Sequence, residues 1–213
     1  MPNRIHVASF LILAVGIWAA ILALRGASIG WEYIWPFGTV LTVLSLVLLA
    51  WDRAVWRFRH LHGWFVQRPD LRGTWRVRLV SDWVDLDTGQ PTAPIDGFVA
   101  VTQSFSSLQL HVMTEESESW LLANQITKSP KGSGYQVVGV YMNQPAAALR
   151  GVRSEIHFGG LVLNTHGDAQ HPDSMAGEYW TDRGTKGSMH LSDRLDEVHT
   201  QFTTAAKAMS KTL

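Results

Sequence analysis

The sequence predicts a membrane-anchored all-β protein: two N-terminal transmembrane helices, then a small eight-stranded antiparallel β-barrel and a short C-terminal helix. Three observations lead there. Two long apolar runs without formal charge open the chain. Eight strand-length segments joined mostly by short turns follow. No helix-length periodic run interrupts them before residue 193.

The first run, Ile5–Leu24, has the length that a helix rising ~1.5 Å per residue needs to cross a ~30 Å hydrocarbon core. The second, Ile34–Trp51, carries Pro36 in its first turn, where a missing N–H does no harm. Arg25–Tyr33 is too short to be a domain, so residues 1–51 read as a transmembrane hairpin. A cleaved signal peptide would have a shorter apolar core and a better cleavage site than Ala23-Leu24-Arg25. Trp31 and Trp35 sit at one expected boundary, Trp51 and Trp56 at the other, where indoles favour the headgroup level. Arg53, Arg57, Arg59 and Arg68 follow the second run and mark that side as cytoplasmic. The expected location is therefore the cell membrane, multi-pass, with both termini cytoplasmic.

Small residues recur four apart: Gly16 and Ala20 in the first run, Gly38 and Thr42 in the second. Such spacing permits close helix contact and self-association, although Ala is common enough for chance to produce it. Residues 52–68 interleave arginines with Phe58, Leu61, Trp64 and Phe65. That pattern suits an interfacial linker, or a plain extension of the second helix.

From residue 69 the pattern changes. The expected strands are Thr74–Trp83, Gly97–Ser104, Ser107–Thr114, Ser117–Thr127, Tyr135–Asn143, Ser154–Thr165, Ala176–Thr181 and Lys186–Ser192. Evenly spaced strands without crossover helices argue an antiparallel sheet that closes over 69–192, with a β-sandwich as the alternative. Eight strands enclose just enough room for one small ligand. The tail 193–213 has Leu195, Val198, Phe202, Ala206, Met209 and Leu213 at helical spacing and reads as an amphipathic helix packed on the barrel.

Composition narrows the function. Residues 69–213 carry 12 Lys and Arg against 16 Asp and Glu, which disfavours polymeric nucleic acid as a partner. The chain has no cysteine and no Gly-x-Ser-x-Gly, Walker or His-Glu-x-x-His motif, so an enzyme is not expected. The loop His166–Asp173 has metal-like composition but fixes no geometry; it reads as a solvated turn, and no metal or cofactor is expected. Gly177, Tyr179, Thr181, Arg183, Thr185 and Gly187 fall at every second position, which on one extended strand would share a face. Tyr and Arg can stack on a base, and Thr and Arg can donate to phosphate; polar pairs on an outer face are the plain alternative.

The run Gly177-Glu178-Tyr179-Trp180-Thr181-Asp182-Arg183-Gly184-Thr185-Lys186-Gly187 resembles the two-transmembrane, β-strand-rich effectors of bacterial CD-NTase (CBASS) antiphage systems. Further pieces resemble the same family in order: Gly73-Thr74-Trp75, Val101-Thr102-Gln103, Ser117-Glu118-Ser119, Gly139-Val140-Tyr141-Met142-Asn143-Gln144-Pro145 and His157-Phe158-Gly159. Gly139 departs from the pattern, in which an aromatic is expected.

The resemblance implies a barrel that binds a cyclic dinucleotide made by a cognate CD-NTase. It implies helices that then oligomerise and disrupt the inner membrane in abortive infection. It also assigns expected roles. Arg183, Thr181 and Thr185 would contact phosphates. Tyr179, Tyr141 and Trp75 would stack on bases. Gln103, Ser119, Asn143 and His157 would read base edges or ribose. The alternative from another class is a tethered lipocalin-like carrier of a lipid or small apolar ligand, since Gly73-x-Trp75 also resembles the opening of that fold. A third is a structural protein whose barrel only contacts partners.

Overall fold

Alternating apolar residues and frequent turn residues from Gly73 onward drive the chain into strands that bury one face each. The computed structural model describes residues 3–26, 31–84, 89–130, 132, 134–151 and 154–211. Its strands are β1 (Gly73–Ser81), β2 (Ile95–Gln103), β3 (Leu108–Met113), β4 (Ser117–Lys128), β5 (Tyr135–Pro145), β6 (His157–Gly167), β7 (Pro172–Thr181) and β8 (Lys186–Leu195). They pair antiparallel in sequence order, and β1 pairs with β8, so the sheet closes into a barrel. The sandwich alternative is thereby excluded.

Inward-facing residues Val77, Val99, Val101, Leu110, Leu161, Leu163, Met175 and Leu191 form the core. Closure needs one tight approach. Gly73 has φ +126°, and a Cβ there would strike the backbone carbonyl of Leu195, so only glycine fits where β1 meets β8.

The chain divides into two compact units, Met1–Phe58 with Ser104–Ser107, and Arg59–Gln103 with Leu108–Leu213. The first contains α1 (Asn3–Leu24) and α2 (Trp31–Arg53). Among the described residues, no helix is long and apolar enough to cross a membrane. This overturns the expected two-span anchor and, with it, the multi-pass inner-membrane placement. α2 opens beside Glu32 and ends on Asp52 and Arg53, charges that a hydrocarbon core disfavours. The side chains of Trp31 and Trp35 lie outside the described residues, as do residues 27–30 of the connecting loop.

Within this unit, Ser104–Ser107 is fastened to the end of α2. Asp52 Oδ1 accepts from the Ser106 amide at 2.8 Å and from Ser104 Oγ at 3.2 Å. The Phe105 ring packs on Trp51 at 5.6 Å and on Trp56 at 6.3 Å. Trp56 is fully buried, where the sequence pattern suggested an indole at headgroup level. The expected interfacial linker is two 3-10 turns, Val55–Arg57 and Arg59–Leu61, and neither is a continuous helix.

The tail is shorter in helix than its periodicity suggests. β8 continues to Leu195, and only Phe202–Met209 is helical (α3). Thr74 is the cause. Its hydroxyl donates to the Glu197 carbonyl at 2.7 Å and accepts from the His199 amide at 2.8 Å, holding 197–199 out of helical geometry. α3 packs Phe202, Ala205 and Met209 on the outer face of β2 and β3, against Phe98, Ala100 and Met113.

Candidate functional site

The two ends of the barrel differ. At one end, residues 69–72 fold back and bury Leu71. Gln103 stitches them down: its Oε1 accepts from the Leu71 amide at 2.9 Å, and its Nε2 donates to the Pro69 carbonyl at 2.8 Å. Trp75 Nε1 donates to the Leu71 carbonyl at 2.9 Å, and the Arg194 guanidinium lies 5.3 Å over the indole ring. Arg194 also donates to the Asp70 carbonyl at 2.9 Å. Asp70 pairs with Arg72 at 2.7 Å; burial works against the Asp70 carboxylate, but the Arg72 contacts outweigh it and hold its pKa below the usual value. This end is sealed.

At the other end a cavity of about 750 Å³ opens, where β1, β3, β5 and β7 finish and β2, β4, β6 and β8 begin. Leu79, Leu110, Leu121, Leu161 and Met189 make its deeper wall. Polar side chains gather toward the mouth. Asn143 Nδ2 donates to Ser119 Oγ at 2.8 Å and to Ser117 Oγ at 3.2 Å. Thr181 and Thr185 share a 2.7 Å hydroxyl hydrogen bond across the β7–β8 turn. Arg183 projects from that turn. Asp96, Glu115 and Glu116 also line the cavity, so among the described lining residues Arg183 is accompanied by carboxylates.

Two tyrosines lie within. A Cβ at Gly159 would come 2.5 Å from the Tyr141 hydroxyl, and one at Gly187 would come 2.7 Å from that of Tyr179. Each glycine therefore makes a slot in which a phenol lies flat on the wall instead of filling the cavity. Burial pushes the pKa of both phenols up, and the two reinforce each other at Tyr141. Both stay protonated and can donate at neutral pH. Tyr141 Oη donates to the Trp180 carbonyl at 3.4 Å.

His157 Nδ1 lies 3.0 Å from the Glu155 carbonyl, an acceptor, so Nδ1 carries the proton and Nε2 is left as an acceptor. Burial pulls the His157 pKa down, which keeps the ring neutral.

Eight of the ten residues expected to bind a ligand meet here: Ser119, Tyr141, Asn143, His157, Tyr179, Thr181, Arg183 and Thr185. Trp75 and Gln103 do not; they belong to the sealed end. The shared face expected over 177–187 extends only to Thr181, because the chain turns at 182–185. Arg183 and Thr185 reach the cavity from the turn and not by strand parity. Gly139 is buried in the inward row of β5, and a Cβ there would come 2.7 Å from Leu121 Cδ2, so leucine occupies the space beside it.

Trp83, expected only as the end of the first strand, and the rim carboxylates also face the cavity. Ser81 and Trp83 continue the inward period of β1, and that periodicity was the available signal.

Two other features stand apart. In the loop between β6 and β7 (168–171), Asp168 Oδ1 accepts from the amides of Gln170 and His171, both at 2.8 Å, which is turn chemistry, while His166 and Asp173 lie on the strands. Among the described residues no group of three His, Asp or Glu is placed to hold a metal. Gly16, Ala20, Gly38 and Thr42 are exposed on their helices, and a Cβ at Gly16 or Gly38 would meet nothing within 4 Å. Thr42 Oγ1 donates to its own helix at the Gly38 carbonyl, 2.9 Å away.

A closed eight-stranded barrel, sealed at one end and open to a polar-rimmed cavity at the other, has the architecture of a small-ligand receptor. Residues 66–193 match the family described as Cap15, cyclic dinucleotide receptor domain, and the chain belongs to that family. It is also similar to CD-NTase-associated protein 15 of Yersinia aleksiciae, with 29% identity over 148 residues. That match covers 68% of this chain and 65% of the relative, so the chain spans just under two thirds of the relative's length.

Proposed function

We propose that the barrel binds a cyclic dinucleotide released by a CD-NTase, and that binding switches the chain into an effector state. The observation that carries this is the donor set at the mouth. Arg183, the Thr181–Thr185 pair and two protonated tyrosines gather in a cavity whose deeper wall is apolar. A phosphodiester ring needs donors more than net positive charge once water is excluded. Neutral His157 and the Asn143–Ser119 pair supply an acceptor and an amide for base edges or ribose hydroxyls. The family match supports the same ligand class.

Self-association through the α1 and α2 faces that carry Gly16, Ala20, Gly38 and Thr42 is the output we assign. Loss of membrane integrity in induced cells is the further outcome that the resemblance implies. The carrier reading rests on the apolar deeper wall alone. It leaves the polar mouth without a use.

Calorimetric titration of the chain with a panel of cyclic dinucleotides tests the binding step. Saturable binding to at least one is expected, and none to any would sink the proposal. For the output, Gly16→Leu or Ala20→Leu is expected to abolish toxicity on induction while ligand binding survives. Unchanged toxicity would refute assembly through this face.

A further inference from the structure

We infer that Trp83 is the base-stacking platform of the cavity, set at its mouth. The inference rests on the cyclic dinucleotide reading above and sharpens it. The inward row of β1 runs Trp75, Val77, Leu79, Ser81 and continues to Trp83 beyond the strand's end. This row starts at the sealed end and finishes at the mouth, so its two tryptophans have opposite surroundings. Trp75 is fully buried, with its N–H bonded and a guanidinium over its ring. No base can reach it. Trp83 lines the cavity and remains 42% exposed. Among the described residues, its ring has no aromatic or hydrogen-bonded partner.

Its backbone, by contrast, is fixed. The Trp83 amide donates to Ser81 Oγ at 3.2 Å, and its carbonyl accepts from both the amide and the hydroxyl of Thr92, each at 3.1 Å. Val84 bridges to Pro91 just beyond. Ser81, the anchor of the Trp83 amide, lines the same cavity as Tyr179.

A large apolar ring held by its backbone and left open beside a polar cavity is suited to a flat partner. Indole offers a π-face on which any base can stack, and the wider purine gains more than a pyrimidine. The ligand class then narrows to cyclic dinucleotides with at least one purine turned toward the mouth.

The test is titration of the full chain and its Trp83→Ala, Trp83→Leu and Trp83→Phe variants with cyclic di-AMP, cyclic di-GMP, cyclic GMP-AMP and cyclic di-UMP. Loss of a stacked base is expected to weaken purine ligands about tenfold in the Ala and Leu variants, while Phe retains most of the affinity. Cyclic di-UMP should change less. Ligand-free melting temperatures should shift little across the set, since the ring is 42% exposed and has no aromatic or hydrogen-bonded partner among the described residues. Quenching of indole fluorescence by ligand should fall in Trp83→Phe. Wild-type affinity in Trp83→Ala and Trp83→Leu would overturn the platform while leaving the receptor intact. Binding of none of the four probes by the wild type would overturn the receptor reading and the platform with it.

Discussion

The two ends of this barrel are built from the same alternating strands, yet one is closed by a returning segment that core side chains hold by its backbone, and the other opens into a polar-rimmed cavity. At the sealed end, Gln103 uses both its amide oxygen and nitrogen on residues 69–71, and Trp75 uses its N–H on Leu71. At the open end, His157 Nε2, the Arg183 guanidinium and the Trp83 ring line a cavity of about 750 Å³. Fully satisfied polar groups stabilise a fold, whereas convergent unsatisfied ones in a cleft are what a ligand completes. Stability and binding are therefore expected to separate by end.

Trp75→Ala should show this separation most strongly. Removing a fully buried indole leaves a cavity and frees the Leu71 carbonyl, for a loss of about 3–5 kcal/mol in denaturant unfolding. A loss below about 1 kcal/mol would mean that this end is not the structural one.

Gln103→Leu comes next. It keeps apolar volume but orphans the Leu71 amide and the Pro69 carbonyl, at about 1–3 kcal/mol per group left unpaired. Any residual folded protein should still bind ligand, because Gln103 lies away from the cavity.

Arg183→Ala should do the reverse. The residue sits exposed on a turn, so unfolding should shift by less than about 0.5 kcal/mol. Cyclic dinucleotide affinity should fall at least about tenfold, as expected for a lost charge-assisted hydrogen bond. Equal losses of stability and affinity would break the division between ends.

The smallest effect concerns pH. Burial holds the native pKa of His157 below its usual 6.5. The unfolded chain therefore binds a proton at higher pH than the native one. The contribution of neutral His157 is complete above about 6.5 and is lost as pH falls from there toward the lower native value. Burial, reinforced by the nearby His171, lowers His62 in the same direction at the sealed end. Melting temperature should thus decline between pH 7 and pH 5, and His157→Asn should flatten only part of that slope. An unchanged slope in the variant would assign the whole effect elsewhere.

Much of the barrel was legible in the sequence, because period-two burial and turn residues mark strands whatever their partners. All eight strands lie within a few residues of their expected ranges, and the Tyr141, Tyr179 and Thr181 positions follow from inward parity. What the sequence concealed were longer-range effects. Trp75 looked like a stacking residue because parity places it inside, and only the return of residues 69–72 and Arg194 shows that it is covered. The tail's helical period failed at its start because Thr74, on a distant strand, holds 197–199. The expected spans did not hold either: among the described residues, no helix is long and apolar enough to cross a membrane.

Isothermal titration of the chain and its Arg183→Ala variant with cyclic dinucleotides, alongside denaturant unfolding of both, tests the central claim most directly. One ligand per chain is expected, with affinity falling at least about tenfold in the variant while unfolding midpoints coincide. A wild-type chain that binds none of them, or a variant that binds as tightly as the wild type, would contradict it.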